Sequence, residues 1–335
     1  MSMEKKRIEY LDLVKLFTIY LVILGHVIAM MINGYSVGGR LYAFIYSFHM
    51  PLFMLLSGYF VGGSALKKNA WEFFLAKSKQ LLLPAVTCTV IVCIYLFLFR
   101  GTTAFRDEVI GNSWFLKTLF VYYALFYIMK RTRINDILLF AGSCILLFVI
   151  PGSSSLQVNL LFPYFWGGYF LRKYHVLERL SGSWKYALLF LLMFSTAYYL
   201  QRGLGIPNYI EINYTSLQSQ GHLILFRYFV GFTGSMTTIS AISLLYENMK
   251  DNSCITYVTY YGRWSLGIYV LQTILVINVF PDTLAWYIES EFLLDAIAAP
   301  LLSLAFLVLC IGIIHMTSKN KMLNLLLFGG QYHKQ

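Results

Sequence analysis

Three ionisable side chains lie inside apolar stretches near the start of the chain: Lys15, His26 and His49. Lys15 and His26 are eleven positions apart. At about 100° and 1.5 Å per residue, that spacing puts both on one face of a helix, roughly 16 Å apart along its axis. An imidazole in a dry site is a natural general base for a hydroxyl nucleophile. The spacing therefore predicts a helix with a cation near one end and a base near the other.

The same residues also have structural explanations. Asp12 is one helical turn before Lys15 and can pair with it, and a histidine within a membrane is often a hydrogen-bonded packing residue. Pro51, two residues after His49, favours a functional site over a packing role, because proline leaves the carbonyl of Ser47 without its helical hydrogen-bond partner. Irregular backbone within a membrane is tolerated only against protein or water. We therefore expect a polar pocket around the two histidines.

The elements that position these residues are expected to be membrane helices. The chain has 335 residues, of which 59% are hydrophobic and 12% are charged. Soluble chains carry about 25% charged residues. This composition excludes a disordered chain, a disulfide-stapled secreted domain and a coiled coil. No two of the five cysteines form a CxxC pair, so we expect neither a disulfide framework nor a metal site.

We predict an all-α, polytopic membrane protein with about ten transmembrane helices. It is expected to form a single transmembrane domain over residues 1–335, in which residues 316–335 are a short tail on the inner membrane surface. No strand-like alternation is sustained. The apolar segments cover residues 12–32, 42–62, 80–99, 113–130, 135–151, 156–172, 184–202, 222–246, 264–282 and 292–315.

The basic residues predict the topology. The net charge is +11, and most of the 26 lysines and arginines fall in alternate connecting segments. The other connections hold only Arg40, Arg100, Arg106 and Arg202. Basic loops stay in the cytoplasm, so both termini are predicted to be cytoplasmic. Nucleic acid is not expected as a partner, because no arginine-rich tract or RNA-binding motif is present.

Several motifs resemble the acyltransferase family 3 integral membrane proteins, in the branch similar to fucose 4-O-acetylases and nodulation-factor acetyltransferases. They occur in the family's order and span most of the chain. In this sequence they read LDLVK, LVILGH, FHMPLFMLLSGYF, KSKQLLLP, NSWFLKTLFVYY, FPYFWGGYF and YYGRWSLGIYVLQ.

The resemblance implies about ten membrane helices in the bacterial plasma membrane. It implies transfer of an acyl group, usually acetyl, from cytosolic acyl-CoA to a carbohydrate hydroxyl at or beyond the outer face. Acyl-CoA is then a co-substrate and no cofactor is bound permanently. The family's basic residue and histidine fall on Lys15 and His26, where many members have arginine at the first position. Gln272 stands where the family often has a histidine.

We expect His26 to be the catalytic base, and Lys15, Lys77 and Lys79 to bind the acyl donor. Lys77 and Lys79 match a second basic motif of the family only loosely. Direct transfer is favoured, because no nucleophile is evident beside a base. Four residues placed in the outer half are candidates for oxyanion or acceptor binding: His49, Lys117, Arg227 and Trp114.

Other interpretations of the sequence remain open. Lys117 and Arg227 are near the outer ends of their segments and can also extend their charges to the membrane surface. The loop at about 203–221 carries aromatic and amide side chains, which suit sugar rings or an ordinary membrane interface. A transporter or flippase of a glycan or lipid-linked sugar is the alternative function, and an inactive sensor or scaffold is a third.

Overall fold

The computed structural model describes residues 8–31, 39–61, 68–101, 105–149, 157–210, 212–283 and 290–332, and the regular elements within these ranges are all helical. The α-helices there are α1 (Tyr10–Met31), α2 (Arg40–Tyr46), α3 (His49–Val61), α4 (Ala70–Lys77), α5 (Leu83–Arg100), α6 (Phe105–Gly111), α7 (Trp114–Met129), α8 (Asp136–Val149), α9 (Val158–Lys173), α10 (Val176–Leu180), α11 (Trp184–Gly203), α12 (Tyr214–Met249), α13 (Ser253–Tyr260), α14 (Ser265–Gln272), α15 (Phe280–Thr283), α16 (Glu291–Leu293), α17 (Ala299–Thr317) and α18 (Lys321–Phe328).

Within the described ranges, three π-helical segments interrupt these helices. Ser78–Leu82 joins α4 to α5, Thr273–Val279 joins α14 to α15, and Leu294–Ala298 joins α16 to α17. A π-helical turn rotates the side chains that follow it and frequently occurs at functional sites. The first two segments border the site described below.

The all-α prediction is confirmed for the residues that the structure describes, and each of the ten apolar segments is helical there. Among the described residues, five helical stretches are long and apolar enough to cross a membrane: Tyr10–Met31, Arg40–Val61, Ala70–Arg100, Tyr214–Met249 and Leu294–Thr317. Trp114–Met129 and Asp136–Leu147 are shorter apolar helices. The number of spans and the side of the termini stay predictions.

Helix α1 is surrounded by other helices. Leu11, Val14, Ile19, Ile23 and Val27 are fully buried although they point in different directions around it. A helix that is apolar on all sides is stable when protein covers all sides. Its neighbours include α3, α12, α14 and α17. The polar side chains of α1 therefore reach neighbouring helices.

Helices α3 and α9 cross with their backbones in contact. A Cβ atom built at Gly58 would lie 1.8 Å from the carbonyl oxygen of Phe165, and one at Gly168 would lie 1.9 Å from that of Leu55. Small residues permit such close approach between membrane helices. The two glycines therefore fix the position of α3, which carries His49.

The end of the chain packs against the bundle. Helix α18 contacts α5 and α14, and Phe328 is fully buried. The backbone N–H of Gly267 donates to the hydroxyl of Tyr332 at 3.2 Å. The predicted tail is thus described up to residue 332, and its place at the membrane surface stays a prediction.

Candidate active site

His26 is held by a residue from the far end of the chain. Its Nδ1 lies 2.8 Å from Oε1 of Gln272, which is fully buried at the end of α14. Nε2 of Gln272 donates to the hydroxyl oxygen of Thr273 at 3.1 Å, and that hydroxyl donates to the carbonyl of Tyr269 at 2.9 Å. This chain of donors directs the amide oxygen toward His26. Nδ1 therefore carries the imidazole proton, and Nε2 is the basic nitrogen.

Gln272 is the partner that the sequence alone did not identify. The motif SLGIYVLQ marked it only as a departure from the family's histidine. In the structure its amide oxygen orients the base, and it can stabilise the imidazolium that forms when Nε2 takes a proton. An amide cannot itself take the proton at neutral pH, so Gln272 positions His26 without relaying protons.

His49 lies close to the same turn of α1. It is buried, and its Nδ1 donates to the carbonyl of Ile45 at 2.8 Å, which leaves Nε2 as an acceptor. The ring of Tyr46 lies edge-on to His49, with centroids 4.6 Å apart. Tyr46 also packs over Gly25, where a Cβ atom would lie 2.8 Å from its ring. Tyr46 thus joins His49 to the backbone beside His26.

Arg227 stabilises the break between α2 and α3. It is 2% exposed and donates to the carbonyls of Ser47 at 2.7 Å, Tyr46 at 3.1 Å and Asn208 at 2.7 Å. Pro51 has no N–H to give to Ser47. The carbonyl that the sequence predicted to be free is therefore satisfied by a guanidinium. This geometry makes Arg227 a positioning residue, and its role as an oxyanion group stays a prediction.

Lys117 and Trp114 surround the turn that begins α7. The Lys117 ammonium donates to the carbonyls of Val109, Ile110 and Asn112. Ser113, the residue between Asn112 and Trp114, has a φ of 52°, a backbone conformation that is strained for a residue with a Cβ atom. Trp114 is partly buried and packs edge-on against the ring of Phe115. These contacts build the turn, and a direct role for either residue in the reaction stays a prediction.

Lys15 borders a cavity inside the bundle. It forms the expected ion pair with Asp12 at 3.1 Å, and its ammonium lies 3.9 Å from the centre of the Phe60 ring. The cavity, which we call the Lys15 cavity, has a volume of about 200 Å³. Its lining includes Leu266 and Tyr269 of the α14 region. Lys15 and His26 therefore both face α14, as their spacing predicted.

The second predicted donor motif reaches this cavity through Gln80. The ammonium of Lys77 donates to Oε1 of Gln80 at 2.9 Å and lies 3.8 Å from the centre of the Tyr123 ring. Gln80 and Tyr123 both line the Lys15 cavity. Lys79 is exposed. The structure thus brings Lys15 and Lys77 to one cavity and leaves Lys79 at the surface.

Three aromatic rings in the lining of the Lys15 cavity pack against one another. The centroids of Phe53 and Phe115 are 5.5 Å apart, and those of Phe115 and Tyr269 are 5.4 Å apart. Gln272 follows Tyr269 by three residues and His49 precedes Phe53 by four, so these two lining residues are each about one helical turn from the histidine region along the backbone. His26 is not among the residues that line the cavity. Tyr269 and Phe53 are therefore the lining residues that connect the cavity, along α14 and α3, to Gln272 and His49.

A larger cavity adjoins the Lys15 cavity at the Lys15 end of the bundle. It has a volume of about 530 Å³, and we call it the aromatic cavity because Tyr257, Tyr260 and Trp264 line it. Arg263 lines both cavities, and its guanidinium lies 5.2 Å from the Tyr260 ring. From the sequence alone, Arg263 was one of the basic residues that predicted a cytoplasmic connecting segment, and no binding role was assigned to it. The aromatic residues on both sides of it were the pattern that could have identified it.

Two side chains in the described part of the chain were candidate nucleophiles for an acyl-enzyme route, and each is engaged elsewhere. Ser57 lines the Lys15 cavity, but its hydroxyl donates to the carbonyl of Phe53 at 2.8 Å. Cys88, which is buried, is directed at the carbonyl of Val270. A serine or cysteine nucleophile needs a base within hydrogen-bond reach. Neither residue has one among its hydrogen bonds in the described part of the chain, which favours direct transfer.

The family assignment agrees with this geometry. Residues 8–315 match the model of acyltransferase family 3, which is described as an acyltransferase domain. The chain belongs to this family, and the resemblance drawn from its motifs is confirmed.

Two relatives carry the name nodulation protein NolL. The protein of Mesorhizobium japonicum is 29% identical over 201 residues, which cover 56% of this chain and 54% of the relative. That of Sinorhizobium fredii is 31% identical over 164 residues, which cover 46% of this chain and 45% of the relative. The chain thus matches about half the length of these relatives. No solved structure matches it.

Proposed function

We propose that this protein is a membrane O-acyltransferase. It moves an acyl group, in the simplest case acetyl, from cytosolic acyl-CoA to a hydroxyl of a cell-surface or lipid-linked carbohydrate. The observation that carries the proposal is His26, whose Nδ1 is held by Gln272 so that Nε2 is the basic nitrogen, on the same helix as Lys15 at the Lys15 cavity. The proposal includes about ten membrane spans, cytoplasmic termini and the bacterial plasma membrane.

The acyl donor enters from the Lys15 end. The aromatic cavity has the larger volume and the flat side chains that suit a nucleotide base, and Arg263 at its junction with the Lys15 cavity suits a phosphate. The narrower Lys15 cavity suits an extended thioester arm. Lys15 and Lys77 add positive charge beside it. Phe53, Phe115 and Tyr269 then move aside so that the thioester reaches His26.

The reaction is a single displacement. Nε2 of His26 takes the proton from the acceptor hydroxyl while that oxygen attacks the thioester carbonyl carbon. The carbon–sulfur bond breaks, and the imidazolium returns the proton to the departing thiolate. An ester and free CoA result. Nε2 of His49 accepts a hydrogen bond from a neighbouring hydroxyl of the acceptor, while Arg227 and Lys117 hold the backbone around it.

The test is acyl transfer by the purified, reconstituted protein with labelled acetyl-CoA and surface glycan as acceptor. His26→Ala is expected to abolish transfer while insertion and purification stay normal. The matched control is His222→Ala, because His222 is exposed near the start of α12. Transfer that persists in His26→Ala would remove the catalytic assignment.

The same preparation distinguishes the transporter alternative. A transferase needs the acyl donor, and it adds one acetyl mass to the glycan. A transporter or flippase would move glycan across the membrane of a vesicle without acyl-CoA. Glycan flux without donor, together with an unmodified glycan mass, would therefore favour the alternative.

A further inference from the structure

A long apolar groove runs along the bundle beside α1, α2, α11 and α12. Its volume is about 610 Å³, and its lining includes Phe17, Phe44, Leu191, Tyr198 and Ile242. Leu191 and Arg202, which lie at opposite ends of the lined part of α11, are eleven residues apart. At about 1.5 Å per residue the groove is roughly 16 Å long. It has the length and apolar walls that a hydrocarbon chain needs.

A polar pocket adjoins the groove where α11 ends. This pocket, of about 280 Å³, is lined by residues that include Tyr42, Gln201, Asn208 and Tyr209. Gln201 is only 1% exposed, and its Nε2 donates to the carbonyl of Ile206 and to Oδ1 of Asn208. Its Oε1 is buried and has no hydrogen-bond partner within the described ranges. A buried amide oxygen of this kind requires a donor, and a ligand hydroxyl can supply one.

Arg202 belongs to both spaces. It lines the apolar groove and the polar pocket, and it is exposed. Its guanidinium makes no hydrogen bond or ion pair with any residue that the structure describes. An exposed arginine between an apolar groove and a polar pocket is complementary to a phosphate that links a lipid chain to a polar head.

The polar pocket leads to the histidines. The carbonyl of Asn208 accepts from Nε of Arg227, and the ring of Tyr209 lies 6.2 Å from that of Tyr46. Tyr46 is in contact with His49. Tyr209 and Tyr46 thus connect the polar pocket to His49 and, over Gly25, to the turn of α1 that carries His26.

We infer that the groove, Arg202 and the polar pocket form a binding site for a lipid-linked saccharide whose lipid and sugar are joined through phosphate. The hydrocarbon chain occupies the groove, the phosphate pairs with Arg202, and the first sugar donates a hydroxyl to Gln201. This inference rests on the proposed function and specifies its acceptor as an anionic lipid. Bulk membrane lipid could fill the groove, but it would not depend on Arg202.

The test measures lipid binding independently of catalysis. Full-length His26→Ala protein, purified in detergent, is incubated with farnesyl phosphate or with farnesol, and retained lipid is measured by native mass spectrometry. We expect farnesyl phosphate to bind about tenfold more tightly than farnesol, the scale of one charge-assisted contact. Arg202→Gln should remove this preference, and Ala241→Trp, which fills the groove, should weaken both ligands.

Matched controls are Arg133→Gln and Leu192→Trp, both at exposed positions outside the groove, and both are expected to leave binding unchanged. Equal retention of the two lipids, or an unchanged preference in Arg202→Gln, would overturn the inference and leave bulk lipid as the occupant. Failure of the proposed function would be distinguishable from this result, because wild-type protein would then bind farnesyl phosphate but transfer no acyl group.

Discussion

The orientation of one imidazole ring depends on a residue 246 positions away in the chain. His26 has its Nδ1 proton directed to Gln272, and Gln272 is itself held by Thr273. A histidine with no such partner would distribute its proton between both nitrogens and rotate. At the scale of single residues, the site therefore consists of a base and the amide that orients it.

Replacement of Gln272 by leucine should lower kcat by about tenfold to hundredfold, because the ring loses one buried hydrogen bond. The KM for acyl-CoA should change little, since Gln272 is not among the residues that line the Lys15 cavity. Gln272→Glu keeps an acceptor oxygen and should recover most of kcat. Steady-state kinetics of the reconstituted protein measure both parameters, and Gln218→Leu is the exposed control.

A fall in kcat that Gln272→Glu does not relieve, accompanied by an equal loss of folded protein, would point to a packing role. The orienting role requires that the two variants differ in rate while their melting temperatures agree.

The element that positions His49 and borders the polar pocket is the interrupted helix formed by α2 and α3. The interruption at Ser47 exposes carbonyls in a buried region, and each unpaired buried carbonyl costs about 1–3 kcal/mol. Arg227, from α12, satisfies those of Tyr46 and Ser47 and also that of Asn208. One guanidinium thus joins the helix break, α12 and the polar pocket.

Arg227→Lys is expected to destabilise the protein by several kcal/mol, because an ammonium cannot reproduce a fork that serves three carbonyls. Thermal unfolding of the detergent-purified protein should show a clear fall in Tm. Arg133→Lys, at an exposed position, should leave Tm unchanged. A Tm equal to wild type in Arg227→Lys would mean that these carbonyls find other partners.

For the molecule as a whole, the proposed donor and acceptor spaces form two sets that share no lining residue among those that the structure describes. The Lys15 cavity and the aromatic cavity share Arg263, and the groove and the polar pocket share Arg202. On α1, Lys15 lies three helical turns before His26, and Tyr46 connects the polar pocket to Gly25 beside His26. This arrangement suits a reaction whose two substrates arrive from opposite faces of a membrane.

Arg263→Gln should raise the KM for acetyl-CoA about tenfold, since one phosphate contact is lost. The KM for acetyl-pantetheine, which has no nucleotide, should stay the same. Kinetics with both donors check this prediction, and Arg179→Gln is the exposed control. An equal rise for both donors would place Arg263 beside the thioester arm and not beside the nucleotide.

Local features were predictable from the sequence. Helix formation follows from long apolar segments, because backbone groups in a membrane must pair within their own segment. The Asp12–Lys15 pair follows from a separation of one helical turn. The shared face of Lys15 and His26 follows from the helical repeat. Each of these depends only on residues close together in the chain.

The partners of those residues were decided by the tertiary structure. The sequence alone determined that His26 and Lys15 lie on one apolar helix and that Ser47 has a carbonyl to spare. Three further features depended on which helices are neighbours. Gln272 orients the base, Arg227 donates a hydrogen bond to the spare carbonyl, and Arg202 and Arg263 each line two cavities. The physical reason is that side-chain packing between distant segments, such as the glycine contact of α3 and α9, selects those neighbours, and no local spacing encodes it.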